Sequence, residues 1–302
     1  MYDIIIIGSG PAGLTAALYA LRADKRVLVL EKENFGGQIT FSPKVENYPA
    51  FMQISGNELA QKLMDQVMEH GADIELGEVT GIVCEPDRKK VLCTDEVYEA
   101  RAVIIATGSR HRQLGLEGEN ELIGAGVSYC AVCDGAFFNS QDVAIVGGGN
   151  TALQEAVLLS DICREVTVIQ NLPMLTGEGR LIRAIEAKPN VRVIYDSLVT
   201  GLVGEESLRA VRVLNTVTDE EQELAVDGLF VAIGQKPENE PFSSLVELDA
   251  NGYVLAGEDC KTSAPGIFVA GDCRTKGVRQ VTTAVADGAT AALAACRYLD
   301  ER

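Results

Sequence analysis

Short, mostly apolar runs that end at a glycine recur along the chain. They occupy residues 4–7, 103–107, 143–146 and 228–233, and a glycine follows each run directly. Runs that are apolar at successive positions, rather than at every second one, are typical of parallel strands buried on both faces. The pattern therefore predicts an α/β protein with buried parallel strands.

Residues 57–70 follow the helical period instead. Their apolar side chains fall on one stripe, which consists of Leu59, Leu63, Met64, Val67 and Met68. This spacing predicts an amphipathic helix whose stripe faces the core, with Gly71 as its C-cap. We interpret the methionines as core residues and assign them no cofactor.

The chain repeats itself after 139 residues without a gap. Residues 3–13 (DIIIIGSGPAG) align with residues 142–152 (DVAIVGGGNTA), and residues 27–30 align with residues 166–169. Each copy has an apolar run, a G-x-G-x-x-G/A turn and an Ala/Leu-rich segment, as in a βαβ unit that binds a dinucleotide. The sequence thus predicts two Rossmann-like dinucleotide-binding domains.

The second copy lies between the strand-to-glycine switches at Gly108 and Gly234. We interpret it as a domain inserted into the first. The predicted domains are residues 1–112 with 238–302, and residues 113–237.

Composition and charge narrow the class of protein. The 302 residues are 47% hydrophobic and 23% charged, which is typical of a globular chain long enough for two domains. The formal charge of −18 disfavours nucleic acid and anionic membrane surfaces as partners. No apolar stretch approaches the roughly 20 residues that a membrane helix needs, and the first residues lack a basic signal-peptide region. We expect a cytoplasmic protein.

The glycines of the first copy have separate tasks. Gly8 permits the tight turn, Gly10 lets a pyrophosphate approach the backbone, and Gly13 lets the helix pack on the strand. Glu31 follows the next strand, 18 residues after Gly13, where a carboxylate binds a ribose hydroxyl. These features predict a bound dinucleotide.

The second copy keeps the turn but lacks the carboxylate. Gly147, Gly149, Asn150 and Thr151 preserve the loop, while Gln170 aligns with Glu31. The copy is either a working dinucleotide site or a packing turn that has been inherited, and both readings stay open.

The candidate reactive centre is Cys130-Ala131-Val132-Cys133-Asp134. A zinc half-site is disfavoured because the other six cysteines contain no second C-x-x-C pair, and we expect no metal. A structural disulfide or inert thiols remain alternatives to a redox-active dithiol, which the spacing favours. Asp134 is the nearest proton donor, a helix N-cap, or both, since the two roles do not exclude each other. Because the chain has only His70 and His111, most mechanisms that depend on histidine must use one of these two residues or are excluded.

The chain resembles the low-molecular-weight thioredoxin reductases over essentially its whole length. The matching segments are GSGPAG at 8–13, GGQI at 36–39, VENYP at 45–49, ATG at 106–108, SYCAVCDG at 128–135, GGGN at 147–150, GD at 271–272 and RQ at 279–280. Two small departures near the expected flavin are Ala50 and Ala286, where glycine is usual.

The resemblance implies FAD as cofactor, bound by the first domain. The positions that match the family's FAD-contacting segments are Gly8, Gly10, Gly13, Glu31, Gly36, Gly37, Gln38, Asn47, Thr107, Gly108, Gly271, Asp272, Arg279, Gln280 and Val281. It further implies that electrons pass from FAD to a Cys130–Cys133 disulfide and on to a thioredoxin-like protein. By position, Cys133 faces the flavin, Cys130 attacks the partner, and Asp134 is the general acid. A homodimer and rotation about residues 108–112 and 234–237 are also family expectations.

Other functions on the same fold stay open. They are reduction of a peroxiredoxin-like partner, a dithiol oxidase that uses oxygen, and a flavin-binding redox sensor. Catalytic turnover of a disulfide substrate distinguishes the enzymes from a redox sensor, and peroxide formation without a protein acceptor identifies a dithiol oxidase.

The electron donor is where the sequence departs most from its family. Typical members follow the second strand of the inserted domain with His-Arg-Arg-x-x-x-Arg, whose arginines hold the 2′-phosphate of NADPH. Here the aligned positions are Gln170, Asn171, Leu172 and Thr176. We therefore expect NADH or reduced ferredoxin, rather than NADPH, to be the preferred donor. If a pyridine nucleotide binds, Gln170 and Asn171 offer its ribose only neutral hydrogen bonds.

Overall fold

A computed structural model describes residues 1–42 and 44–301, which divide into two compact units. One consists of Met1–Arg110 with Lys236–Arg302, and the other of His111–Gln235. The expected borders, 112/113 and 237/238, lie two residues further along the chain.

The first unit is built on a seven-stranded sheet. Its strands are β1 (Tyr2–Ile7), β2 (Val27–Glu31), β3 (Asp73–Leu76), β4 (Val79–Cys84), β5 (Lys89–Cys93), β6 (Val97–Ile105) and β17 (Ile267–Val269). The order is β3-β2-β1-β6-β5-β4, and β17 pairs with the second half of β6. All pairs are parallel except those that involve the β4–β5 hairpin.

Packing on both faces of this sheet explains its apolar strands. Ile4 and Ile6 belong to a core with α1 (Pro11–Arg22), α2 (Gly56–Glu69) and α6 (Val281–Asp300), while Ile5 and Ile7 pack into a second core with Phe242 and Val254. Because each β1 side chain meets a core, no polar alternation appears in the sequence.

Helix α2 matches the predicted segment to within one residue at each end. Ser55 caps it by accepting the Glu58 N–H, and Leu59, Met64 and Val67 are buried. The placement of Met68 in the core is wrong, since this side chain is 59% exposed. Nine residues separate it from Leu59, about two and a half helical turns, so the two side chains point in opposite directions.

The second unit repeats the parallel arrangement. Its main sheet has the order β11-β10-β9-β15-β8, with β8 (Val127–Ser128), β9 (Asp142–Val146), β10 (Glu165–Ile169), β11 (Val191–Ile194) and β15 (Gly228–Val231). Three strands, β12 (Ser197–Val203), β13 (Ala210–Asn215) and β14 (Glu221–Ala225), form a separate antiparallel sheet. The helices are α3 (Ala131–Asp134), α4 (Asn150–Ser160) and α5 (Gly179–Glu186).

The sequence repeat is also a structural repeat. Ile4 pairs with Val27 across β1 and β2, and Val143 pairs with Val166 across β9 and β10. Both partners are displaced by the same 139 residues, so the register is identical. The predicted pair of Rossmann-like domains is confirmed.

Two short strands form where the chain passes between the units, β7 (Ser109–His111) and β16 (Gln235–Pro237), and they pair with each other. Within the described ranges, no helix combines the length and the apolar character needed to cross a bilayer.

Candidate functional site

The first glycine turn connects β1 to α1, and two of its glycines lie so close to backbone oxygens that a side chain would not fit. Gly8 has φ +109°, and a Cβ there would lie 2.4 Å from the Ala106 carbonyl oxygen. A Cβ on Gly13 would lie 1.9 Å from the Gly8 oxygen, whereas one on Gly10 would meet nothing nearer than 4.0 Å. Gly8 and Gly13 are therefore required by packing, and Gly10 leaves the start of α1 open, as an approaching phosphate needs.

Glu31 ends β2 beside this turn. Its Oε2 accepts hydrogen bonds from the Ser9 N–H (2.9 Å) and the Ser9 hydroxyl (2.8 Å), and its Oε1 accepts from the Lys32 and Glu33 N–H groups. The carboxylate is thus held where the βαβ geometry places a ribose. Sequence reasoning assigned no role to Ser9, whose hydroxyl fixes Glu31.

The segment after β2 returns to the same turn. The Gly36 N–H donates to Ser9, and a Cβ on Gly37 would lie 3.0 Å from the Gly10 Cα. Gln38 follows in a short 3-10 helix and is exposed.

The remaining predicted cofactor residues fall into two groups. Thr107 and Gly108 follow β6, and Thr107 donates to the Asn239 side chain at 3.1 Å. Asn47 donates to Gln280 at 3.1 Å, and Gln280 is the N-cap of α6, which begins at Val281.

Asp272 lies in the turn after β17 and Gly271. Its Oδ1 is buried without a hydrogen-bond partner, and burial raises the pKa of this carboxyl to about 6, against the opposing effect of Lys276 and Arg279. Arg279 lies over the Tyr253 ring at 4.1 Å. A buried acceptor without a donor fits a cofactor that carries hydroxyl groups, as the ribityl chain of FAD does.

These residues share one edge of the sheet. Gly8 follows β1, Glu31 ends β2, Thr107 comes just after β6, and Asp272 comes just after β17. The four strands are parallel, so their carboxyl ends meet at the edge where α/β sheets bind ligands. Ala50, where the resemblance makes glycine usual, has φ +80°, a left-handed conformation that favours glycine.

The second glycine turn has the same backbone and different surroundings. Gly147 has φ +130°, and Ala152 stands where the first unit has Gly13. A Cβ on Gly148 would lie 2.5 Å from the Gln170 side chain. Gln170 is buried, and its Nε2 donates to the Met174 carbonyl at 3.0 Å. The amide at the ribose position is thus engaged by its own loop.

The other predicted nucleotide residues lie around the start of α4. Gly149 is its N-cap, and the Asn150 Oδ1 accepts the Glu178 N–H at 2.7 Å. Thr151 and Asn171 are exposed.

The two cysteines of the C-x-x-C segment form a disulfide at the start of α3. Cys130 is the N-cap, Cys133 lies in the helix with a Cα–Cα distance of 5.3 Å, and the Cys133 N–H donates to the Cys130 Sγ at 3.2 Å. Within the described ranges, no three His, Cys, Asp or Glu side chains gather as a metal site.

Asp134 ends α3. Its Oδ2 accepts from the Ser128 hydroxyl at 2.6 Å, and its Oδ1 is buried without a partner. Burial raises the pKa of this carboxyl, and the Ser128 hydrogen bond opposes the rise. Asp134 occupies the N-cap position of the following 3-10 turn, but its side chain makes no cap hydrogen bond there. A raised pKa suits a group that delivers a proton.

The amino-acid sequence of this chain is similar to those of known proteins. The pyridine nucleotide-disulphide oxidoreductase family matches residues 2–288. A thioredoxin reductase of Listeria innocua is 40% identical over the whole chain and 95% of its own length. A bifunctional thioredoxin reductase/thioredoxin of Mycobacterium leprae is 40% identical over the whole chain and 66% of its own length.

A solved structure agrees with the sequence comparisons. Thioredoxin reductase from Streptococcus pyogenes has a TM-score of 0.96 and 41% identity, with 100% of this chain and 99% of that chain covered. The family supports FAD as the cofactor and leaves the nicotinamide cofactor open. The expected kinship is confirmed, and the chain belongs to the low-molecular-weight thioredoxin reductases of the pyridine nucleotide-disulphide oxidoreductase family.

Proposed function

We propose that the protein reduces the disulfide of a thioredoxin-like partner, with electrons that pass through FAD and the Cys130–Cys133 pair. The observation that carries this proposal is the C-x-x-C disulfide on α3 with the buried Asp134 carboxyl at the end of the same helix. The relatives named thioredoxin reductase support it, and the Mycobacterium leprae relative combines the reductase with a thioredoxin in one protein.

Binding of FAD falls to the first unit. Glu31 would accept the ribose hydroxyls, the N–H groups at the start of α1 would hold the pyrophosphate, and Asp272 would accept a hydroxyl of the ribityl chain. When bound, FAD would supply a carrier of two electrons, which suits dithiol chemistry because a disulfide is also reduced by two electrons.

Cys130 and Cys133 carry out the exchange with the partner. In the reduced protein, the Cys130 thiolate attacks the partner's disulfide and forms a mixed disulfide. Cys133 then attacks the Cys130 sulfur, which restores the internal disulfide and releases the partner as a dithiol. Asp134, whose pKa burial raises, delivers the proton that the departing thiolate takes up.

The proposed donor is NADH or reduced ferredoxin rather than NADPH. Residues 170–179 contain no Lys or Arg, and the nearest arginine, Arg180, is 71% exposed and paired with Glu178. Gln170 is buried against its own loop. Because the segment has no Lys or Arg, a 2′-phosphate would find no cationic partner on it.

Anaerobic titration of the purified flavoprotein tests donor and function together. NADH, NADPH and reduced ferredoxin are added separately while flavin absorbance is followed, and thioredoxin reduction is then measured with each donor. We expect NADPH to bleach the flavin more slowly than at least one of the others. A micromolar apparent constant for NADPH, well below that for NADH, contradicts the donor proposal. If thioredoxin is reduced with none of the three donors, the proposed function is contradicted.

A homodimer and a cytoplasmic location stay predictions of the resemblance. Sedimentation tests the homodimer.

A further inference from the structure

The mechanism so far gives no task to Ser128, a buried serine two residues before Cys130. Ser128 ends β8, where it pairs with Phe230 of β15, and it is 3% exposed. A hydroxyl that is removed from water needs hydrogen-bond partners within the protein. The strand β8 therefore holds this hydroxyl at a fixed place beside the C-x-x-C segment.

The Ser128 hydroxyl has partners at both ends of that segment. Its oxygen accepts the Cys130 N–H at 3.1 Å, and it donates to the Asp134 Oδ2 at 2.6 Å. The Cys130 carbonyl oxygen lies 3.5 Å from the same hydroxyl. Because a hydroxyl has a single hydrogen, the much shorter distance to the carboxyl identifies its acceptor. One hydroxyl thus connects the first redox cysteine with the acid that ends α3.

This connection gives the two carboxyl oxygens of Asp134 different surroundings. Oδ2 is held by Ser128, while Oδ1 is buried and has no hydrogen-bond partner. A protonated carboxyl carries its hydrogen on one oxygen and accepts on the other. Since Oδ2 accepts from Ser128, the proton of the acid belongs on Oδ1. The serine therefore fixes both the rotation of the carboxyl and the oxygen that donates.

The same hydroxyl fixes the backbone at Cys130. This residue is the N-cap of α3, so its N–H precedes the helix and takes no part in the helical hydrogen bonds. Ser128 supplies an acceptor for that N–H, and the Cys130 Sγ accepts the Cys133 N–H at 3.2 Å. The sulfur that meets the partner and the acid that serves it are thus held by one side chain.

We propose that Ser128 is a positioning residue of the disulfide exchange, whose hydroxyl holds Cys130 and the Asp134 carboxyl in the placement that lets Asp134 protonate the departing thiolate. Ser128 itself exchanges neither a proton nor an electron. The inference rests on the proposed function, because it takes Cys130 and Cys133 as the redox pair.

The exchange with a disulfide RSSR has two steps. The Cys130 thiolate attacks one sulfur, the S–S bond of RSSR breaks, and the departing thiolate takes the Asp134 proton. Asp134 then accepts the proton of the Cys133 thiol, Cys133 attacks the Cys130 sulfur, and the second departing thiolate takes this proton from Asp134. The protein dithiol is oxidised by two electrons to the internal disulfide, and RSSR is reduced to two RSH.

Two small disulfides with different leaving groups separate the placement of an acid from general damage to the site. The thiol released from bis(hydroxyethyl) disulfide resembles free cysteine, whose pKa is about 8.5, so its thiolate needs a proton. The thiol released from dithiobis(nitrobenzoic acid) is far more acidic and departs as a stable thiolate. The purified flavoprotein is reduced with dithiothreitol, freed of it without air and mixed with either disulfide. The remaining Cys130 and Cys133 thiols are counted by alkylation and peptide mass spectrometry.

We expect Ser128→Ala to slow oxidation by the alkyl disulfide about 10- to 100-fold, because a misplaced general acid loses much of its effect. Oxidation by the aromatic disulfide should change much less. Ser160→Ala is the matched control. Ser160 is another buried serine of the same unit, and its hydroxyl donates to the Val157 carbonyl at 2.6 Å. Both rates of this control should equal those of the wild-type protein.

A second measurement tests whether Ser128 acts through Asp134. An Asp134→Asn background has no carboxyl proton to place, so adding Ser128→Ala there should remove the selective loss with the alkyl disulfide. A further selective loss as large as that in the wild-type background overturns the proposal.

Equal losses with the two disulfides, or an unchanged alkyl rate in Ser128→Ala, also overturn the proposal. Flavin absorbance and circular dichroism verify the folding of each variant. If Ser128→Ala does not fold, Ser128→Gly takes its place, and failure of both to fold overturns a role limited to positioning. A wild-type dithiol that reduces the small disulfides but not thioredoxin contradicts the proposed function and not the role of Ser128. One that reduces no disulfide contradicts both.

Discussion

The two glycine turns of this protein have similar backbones and differ at the residue that ends the second strand of each βαβ unit, Glu31 in the first and Gln170 in the second. In the first unit, the Glu31 carboxylate accepts the N–H and hydroxyl of Ser9 and stays beside the turn. In the second, Gly148 has no side chain, and Gln170 fills that space while its amide donates to Met174. The comparison teaches that the same glycine turn can be built with different side chains around it.

The difference extends to how closely helix and strand approach. In the first unit only glycine fits at position 13, because a Cβ would lie 1.9 Å from the Gly8 oxygen. The second unit accommodates Ala152 at the equivalent place. The first turn is therefore the more tightly constrained of the two.

The largest expected effect separates the flavin chemistry of one unit from the dithiol chemistry of the other. Cys133→Ser should abolish reduction of thioredoxin and leave reduction of the flavin by its donor intact, because the flavin accepts electrons before the dithiol. Stopped-flow absorbance and a thioredoxin assay measure the two steps. Cys84→Ser, at an exposed cysteine on β4, should leave both unchanged. Turnover of the Cys133 variant at the wild-type rate would refute the redox pair.

Restoring cations to the second turn should make it a better NADPH site. Charge-assisted hydrogen bonds contribute about 1.5–3 kcal/mol each, so Asn171→Arg with Leu172→Arg should strengthen NADPH binding by about two to four orders of magnitude. Both positions are exposed, which keeps the cost to folding small. Calorimetry with NADPH and NADH gives the affinities. The same pair changed to Gln is the neutral control, and an equal gain for NADH would show that phosphate recognition is not the cause.

Gly13→Ala tests the tight packing of the first turn. The added methyl group would overlap the Gly8 oxygen, so we expect a loss of stability of about 3 kcal/mol or more and a protein that is largely free of FAD. Flavin absorbance per protein and thermal unfolding measure both. Ala152→Gly, the reciprocal change, should cost only about 1 kcal/mol through helix propensity. A fully flavinated Gly13 variant would contradict the constraint.

Glu31→Gln should have the smallest effect. The amide keeps the shape of the side chain but loses the charge that strengthens hydrogen bonds, and we expect FAD binding to weaken by about 10- to 100-fold. Fluorescence titration of the apoprotein gives the affinity. Gln170→Glu in the second unit should leave FAD binding unchanged, so a loss there would mean that the two turns are not independent.

Much of the fold could be predicted from the sequence because it rests on local pattern. The isoleucines of β1 and the repeat after 139 residues are enough to predict two βαβ units, since buried parallel strands and glycine turns leave unmistakable signals. Both ends of α2 could be predicted to within one residue for the same reason. The placement of Met68 was wrong although helical geometry argues against it, because Leu59 and Met68 are nine residues apart and lie on opposite sides of the helix.

The sequence by itself determined the turns, the Glu31 and C-x-x-C positions and the absence of Lys and Arg from residues 170–179, because each is a matter of residue type at a fixed position. Only the tertiary structure decided what surrounds them. The Ser9 hydroxyl fixes Glu31 across 22 residues, the Gln170 amide donates to the Met174 carbonyl, and burial leaves Asp134 and Asp272 each with one oxygen that has no hydrogen-bond partner. The physical reason is burial: a carboxyl changes its pKa and its partners when distant segments remove it from water, and no local pattern records which segments those will be.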